Sequence, residues 1–465
     1  MARIGGPGPY QDIGFDRDGD VDPEQRHRLL GLEVTDLVMF AHGRNQSPAA
    51  AYELYAEFFS AFPSLAGRGV RLGYAGVGWP SMTFPDEIPA SGPVSGPAQD
   101  GPRPPASGPP GGGGLDGGTY QALLTLFPGH GETVARLAAL LVERPDSAAA
   151  VGDFGRLARR LARVPAGGLE SHRFTDDLPG DEQGPPAVLY EDPLSLCRRF
   201  AGALEAVDGT GRYEGPGPYG RPGLYGRPGS YGSYRSGGSY DGPGRVWRGA
   251  RELLRQTTYY ALKRRAGAVG ELGLGPLLGQ LARSRPALRV HLVGHGQGAR
   301  LVAFALRGLP DEVRTVKSVT LLQGAFSHYA FASRLPHAPG RSGALGAMEQ
   351  RVDGPVVACH SRHDGALGTL YPVASAPAHD DRDPGPDAVG DRRWWALGHS
   401  GIHGVGSAVR LSLDDALRGS LPRKGCVSVD ASSVVRSGAP PSGAHGDICH
   451  EELARLIVAA GGLGD

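Results

Sequence analysis

Residues 288–302 read Leu-Arg-Val-His-Leu-Val-Gly294-His295-Gly296-Gln297-Gly298-Ala299-Arg300-Leu-Val: an apolar strand, a glycine-rich turn, then a helix. The spacing Gly294-x-Gly296-x-x-Ala299 fits the dinucleotide fingerprint, in which a pyrophosphate rests on the helix N-terminus. That chemistry asks for an acid at the end of the next strand, about 20 residues on. The next strand instead runs into Gln323-Gly324-Ala325, and Asp311 and Glu312 precede it. Three further groupings suggest chemistry. His360-x-x-His363-Asp364, with His379 and Asp380 nearby, has metal-ligand residue types, although a strand end entering a polar loop accounts for it. Asp16-Arg-Asp18-Gly-Asp20-Val-Asp22 resembles a calcium loop but lacks glycine at position six and glutamate at twelve, so it reads as a solvated acidic stretch. Asp153-Phe154-Gly155 spells a kinase magnesium motif inside a helical pattern, without the lysine strand or catalytic loop that motif needs. The sequence thus predicts no metal and no cofactor.

The strand-turn-helix also resembles the nucleophile elbow, G-x-S-x-G, of the α/β-hydrolase family, in particular its lipase and esterase type. In that family the flanking small residues allow the sharp turn, and the central residue is presented at the top of the sheet. Here the centre is Gly296, which tolerates positive φ but offers no nucleophile. The resemblance extends over residues 34–80 and 246–460 and keeps the family's order. Phe40-Ala41-His42-Gly43-Arg44-Asn45 is similar to the His-Gly segment that supplies half of the oxyanion hole. The resemblance therefore assigns the oxyanion donors to the backbone N–H groups of Arg44 and Gln297. Val356–Asp364 is a strand ending in an acid where the family places its triad carboxylate. Ala444-His445-Gly446-Asp447 follows the last strand, where the family places its general base. Asp364 would orient His445, with His450 as the alternative base. As ordinary residues, Asp364 is a loop acid or helix N-cap, His445 a loop histidine, and Asn45 a turn former or N-cap.

These positions imply particular elements. Residues 36–42 read as a buried strand, 49–62 as a helix with Tyr52, Tyr55, Phe58 and Phe59 at helical spacing, and 70–77 as a strand. Helical patterns occupy 119–142 and 146–163, and 246–262 reads as an amphipathic helix. Strands at 288–295, 315–323, 354–361 and 426–430 alternate with helices at 298–308 and 447–460. Alternation of this kind predicts an α/β fold with a mostly parallel sheet and flanking helices, and the resemblance to the α/β-hydrolase family implies about eight strands. The organisation is an N-terminal extension (1–30), a first part of the core (31–85), a large insertion (86–245) and a second part of the core (246–465). Within the insertion, 86–118 is a Pro/Gly-rich linker, 119–206 is helical, and 207–245 is low complexity. That last stretch carries repeats such as Tyr219-Gly-Arg-Pro-Gly and Tyr225-Gly-Arg-Pro-Gly. It reads as a disordered surface segment, or as a Tyr/Arg sticker for a partner.

Lysine plus arginine and aspartate plus glutamate each number 48, so bulk charge gives no reason to expect nucleic acid as a partner. Arginine dominates so strongly that Lys263, Lys317 and Lys424 are the only lysines, a bias that reads as codon pressure. The 75 glycines and 40 prolines are enough to predict disordered segments beside a real core. Four cysteines without metal spacing, no N-terminal apolar run and no long apolar stretch predict a cytoplasmic chain that does not span a membrane. The functional expectation is a small-molecule acyl substrate or ligand on a hydrolase scaffold without its serine. Three alternatives remain: a hydrolase or lyase using a His445–Asp364 general-base dyad, an interaction protein acting through the repeats, and a dinucleotide-binding protein. The sequence does not fix the oligomeric state.

Overall fold

The computed structural model describes residues 8–43, 48–81, 114–162, 177, 187–210, 243–376, 392–439 and 441–464. Eight strands form one sheet: β1 (Tyr10–Gly14), β2 (Asp36–Ala41), β3 (Leu72–Gly78), β4 (Arg289–His295), β5 (Val316–Leu322), β6 (Pro355–His360), β7 (Val409–Ser412) and β8 (Gly425–Asp430). Their order is β1-β3-β2-β4-β5-β6-β8-β7, and every pairing is parallel. A parallel sheet is covered on both faces, so its inner strands need apolar residues at consecutive positions rather than alternate ones. The run Asp-Leu-Val-Met-Phe-Ala of β2 is buried throughout, as is Pro-Val-Val-Ala-Cys-His of β6.

Ten helices of eight or more residues are described: α1 (Pro23–Leu30), α2 (Pro48–Phe59), α3 (Gly117–Leu126), α4 (Gly131–Glu143), α5 (Ala148–Ala162), α6 (Pro193–Thr210), α7 (Pro243–Ala268), α8 (Gly275–Ser284), α9 (Gln297–Gly308) and α10 (Glu451–Gly461). On one face, an aromatic cluster joins the sheet to α2: Phe40 stacks on Phe58 at 4.1 Å, and Phe59 lies 4.8 Å from Tyr74. On the other face, α9 is buried from Gln297 to Leu306, with the insertion helices beyond it. Edge-to-face contact of Phe154 in α5 with Trp247 in α7 at 5.7 Å fixes the insertion to the core. The Asp153-Phe154-Gly155 motif is therefore part of a packed helix.

Several boundaries differ from the sequence reading. The pattern at 119–142 is two helices, because Pro128-Gly129 interrupts it, with Gly129 at φ +81. The helix read at 246–262 continues to Ala268 and passes through a π-helical turn, Val269–Leu274, into α8. Strand β1 falls in the stretch set apart as an N-terminal extension and pairs with β3. No described helix is long and apolar enough to cross a membrane.

Candidate active site

Gly43, Gly296, Asp364 and His445 follow β2, β4, β6 and β8 respectively, so all four lie at the carboxyl ends of strands. In open parallel sheets that is where ligands bind, near the point at which strand order reverses. The reversal here falls between β2 and β4, which pair with each other while β3 continues the sheet outward from β2.

The turn is an elbow. Gly296 has φ +56 and ψ −113, a strained conformation for any L-residue. Its N–H donates to the Leu322 carbonyl at 3.0 Å, and its carbonyl accepts from the Ala325 N–H at 2.9 Å. Packing dictates the flanking glycines. A Cβ on Gly298 would collide with the carbonyl oxygens of Ala41 and His42, and one on Gly294 with the Gly298 carbonyl. The N–H of Gln297 opens α9, in the first helical turn where no intrahelical carbonyl can accept it. It is thus a donor at the positive end of the helix dipole.

A Cβ built on Gly296 points at His445, lying 3.1 Å from Nε2 and 3.5 Å from Cε1. Nδ1 of the same ring donates to Asp364 Oδ2 at 2.7 Å. The other carboxylate oxygen, Oδ1, accepts the Leu367 N–H at 2.9 Å, so Asp364 is both partner of His445 and N-cap of the following turn. The two loops are laced together: Asp364 and Gly443 form an antiparallel bridge, and the Ala444 N–H donates to the His363 carbonyl at 3.0 Å. Asp364 is fully buried, whereas the His445 side chain retains 17% exposure. A small cavity beside His445 is lined by Gln256, Tyr259, Gln297, Ala325, Leu367 and Tyr371. It offers about 20 Å³ to the centre of a water molecule, enough for one water.

His295, beside the dyad, and Asp177, behind the cavity wall, had no sequence signal. His295 Nε2 donates to the His445 carbonyl at 2.7 Å, and the two rings lie 4.9 Å apart. Burial, reinforced by the neighbouring His445, pushes the His295 pKa down to about 3, so its ring is a neutral prop. The cavity wall is locked as well: Tyr259 Oη donates to the Ala325 carbonyl at 2.6 Å, and the Tyr259 carbonyl accepts the Gln297 side-chain amide at 3.0 Å. Tyr371 lies edge-to-face with Tyr259 at 6.1 Å and donates to Asp177 Oδ2 at 3.3 Å. His295 was visible only as a spacer between glycines, and Asp177 sits in a stretch with no periodic pattern.

Other sequence candidates fall elsewhere. His450 Nε2 donates to Asp447 Oδ1 at 2.8 Å, a pairing apart from Asp364. Asp16 Oδ1 accepts the N–H groups of Asp18 and Asp20, each at 2.9 Å, and Asp22 caps α1, so these acids organise a turn and a helix start. Among the described residues no cluster of three or more His, Cys, Asp or Glu side chains has metal-binding geometry. Arg44, Asn45, His379, Asp380 and the repeats at 211–242 lie outside the described residues. No protein family, curated protein or solved structure matches this chain.

Proposed function

We propose that this chain is an α/β-hydrolase-type scaffold of the esterase class that has lost its nucleophile and binds a small acyl ligand without attacking it. The observation that carries this reading is the aim of the elbow: the side-chain direction at Gly296 ends 3.1 Å from His445 Nε2, whose other nitrogen is held by Asp364. A serine hydroxyl at that position would meet a base, with an N–H donor next to it in Gln297. Without it, covalent acyl transfer has no first step. The experiment is hydrolysis of a short acyl nitrophenyl ester series by the natural chain and by Gly296→Ser, with fluorophosphonate labelling of both. The natural chain should neither turn over nor label. Gly296→Ser should do both, with gains toward the roughly 10⁶-fold in kcat that a triad serine supplies. A folded Gly296→Ser protein that stays unlabelled would overturn the assignment.

One observation favours a second reading. The cavity beside His445 takes a single water, and the His445–Asp364 pair has the geometry of a general base. In that case the natural chain already turns over, with water as nucleophile, and His445→Ala abolishes the rate. A rate unchanged by His445→Ala would exclude it.

A further inference from the structure

At the amino-terminal ends of β4, β5, β6 and β8, across the sheet from the elbow, lies a groove of about 630 Å³. That is within the range of about 300–1,000 Å³ typical of small-molecule sites. The charged side chains on its wall are Arg289, Arg314, Lys317 and Arg423 against one acid, Asp353. Lys317 and Lys424 both bond to Asp353, each at 2.7 Å, which brings two of the chain's three lysines onto one carboxylate. Arg289 pairs with Asp36 at 3.3 Å and covers the Gly461 carbonyl at 2.6 Å. Counting these partners behind the wall, five cations face two anions in a chain whose formal net charge is zero.

We propose that this groove is a binding site for a compact phosphate-bearing anion of the diphosphate class. The excess positive charge is held in a concavity, where low-dielectric walls concentrate its field. Guanidinium forks match phosphate oxygens two at a time, and flexible lysine ammonium groups complete the charge. Arg314 is held for the task. Its Nη1 donates to the Asp311 and Val313 carbonyls at 2.7 and 2.8 Å, which fixes the guanidinium at the rim, and the residue remains exposed. Pro286, Ala287, Pro355 and Leu421 supply apolar wall on which an organic body attached to the phosphates could rest. The groove shares no residue with the elbow or the dyad, so this site is independent of the proposed hydrolase reading.

The test is calorimetric titration of the full chain with inorganic pyrophosphate and with ADP, at fixed ionic strength. Saturable binding at one site is expected, weakened about tenfold or more by Arg314→Ala/Arg423→Ala and by Lys317→Met, a change of about 1.4 kcal/mol, because each removes a charge-assisted hydrogen bond. Arg156→Ala, at an exposed arginine on α5, removes one positive charge elsewhere, as Lys317→Met does in the groove, and should leave binding unchanged. Tighter binding of ADP than of pyrophosphate would identify a nucleotide, and equal binding a free diphosphate; either supports the site. Absence of saturable binding, or equal weakening by Arg156→Ala, overturns it. Circular dichroism of each variant shows whether a loss is one of folding.

Discussion

Asp177 offers the sharpest test of how the candidate pocket is built. It is 5% exposed, and four elements converge on it. Lys263 Nζ of α7 lies 2.6 Å from Oδ2, and Arg300 of α9 places Nε and Nη2 each 3.1 Å from Oδ1. The Ser327 N–H and the Tyr371 hydroxyl complete the shell at 3.0 and 3.3 Å. Burial alone would raise this carboxyl, but Lys263 and Arg300 outweigh it and hold the pKa below the usual carboxylate range. Asp177→Asn preserves the shape and removes the charge, leaving Lys263 and Arg300 deep in the protein without their shared anion. Removing one partner of a buried ion pair costs about 3–5 kcal/mol. Urea denaturation should show a loss of that size. Because the sites share contacts, Asp177→Asn and Lys263→Met should be non-additive by about 1–3 kcal/mol. A loss within about 0.5 kcal/mol for Asp177→Asn would refute the idea that this charge cluster organises the pocket wall.

Acid should unfold the protein in a defined window. Burial lowers the pKa of His42 to about 4 and of His295 to about 3. As pH falls below the unfolded value of about 6.5, the unfolded chain takes up these protons first, so stability falls by about 1.4 kcal/mol per pH unit for each residue until its folded pKa is reached. Denaturation curves at pH 7, 6 and 5 that superimpose would contradict neutral burial. Gly298→Ala should cost more than about 3 kcal/mol or prevent folding, because its Cβ meets two backbone carbonyls; thermal melting close to that of the natural chain would show that the turn can relax. Deleting residues 211–242 should leave the acyl-ligand binding proposed at the elbow intact, measured by calorimetry with a short acyl nitrophenyl ester. Loss of binding would transfer the function to the repeats.

Legibility followed burial. Strands β2 and β6 are buried at every position, and their apolar runs give them away; in β4, β5 and β8 the run is interrupted by buried polar residues such as His291, Ser318 and Ser428. The outer strands β1 and β7 carry polar residues, Tyr-Gln-Asp-Ile-Gly and Val-Arg-Leu-Ser, because each has only one neighbour and partial cover. The elbow was readable because backbone packing forces glycine at 294 and 298 whatever stands between them. Asp364 and His445 were readable from order along the chain, and the geometry brings them together at 2.7 Å. His295 and Asp177 were not, since a buried polar residue takes its meaning from partners as distant in sequence as residues 445 and 327.

The backbone angle at Gly296 also gives evolution a direction. Positive φ at a residue with a side chain costs on the order of 1–3 kcal/mol, and at a glycine it does not. With glycine in place, the scaffold sheds that strain while the turn, the bonds to Leu322 and Ala325, and the His445–Asp364 pair all remain. A serine at this position must take on the strain and crowd an imidazole 3.1 Å away. If the chain is the disarmed hydrolase proposed above, loss of the nucleophile is a ratchet: selection for stability favours the forward step, and only selection for catalysis can drive the reverse one.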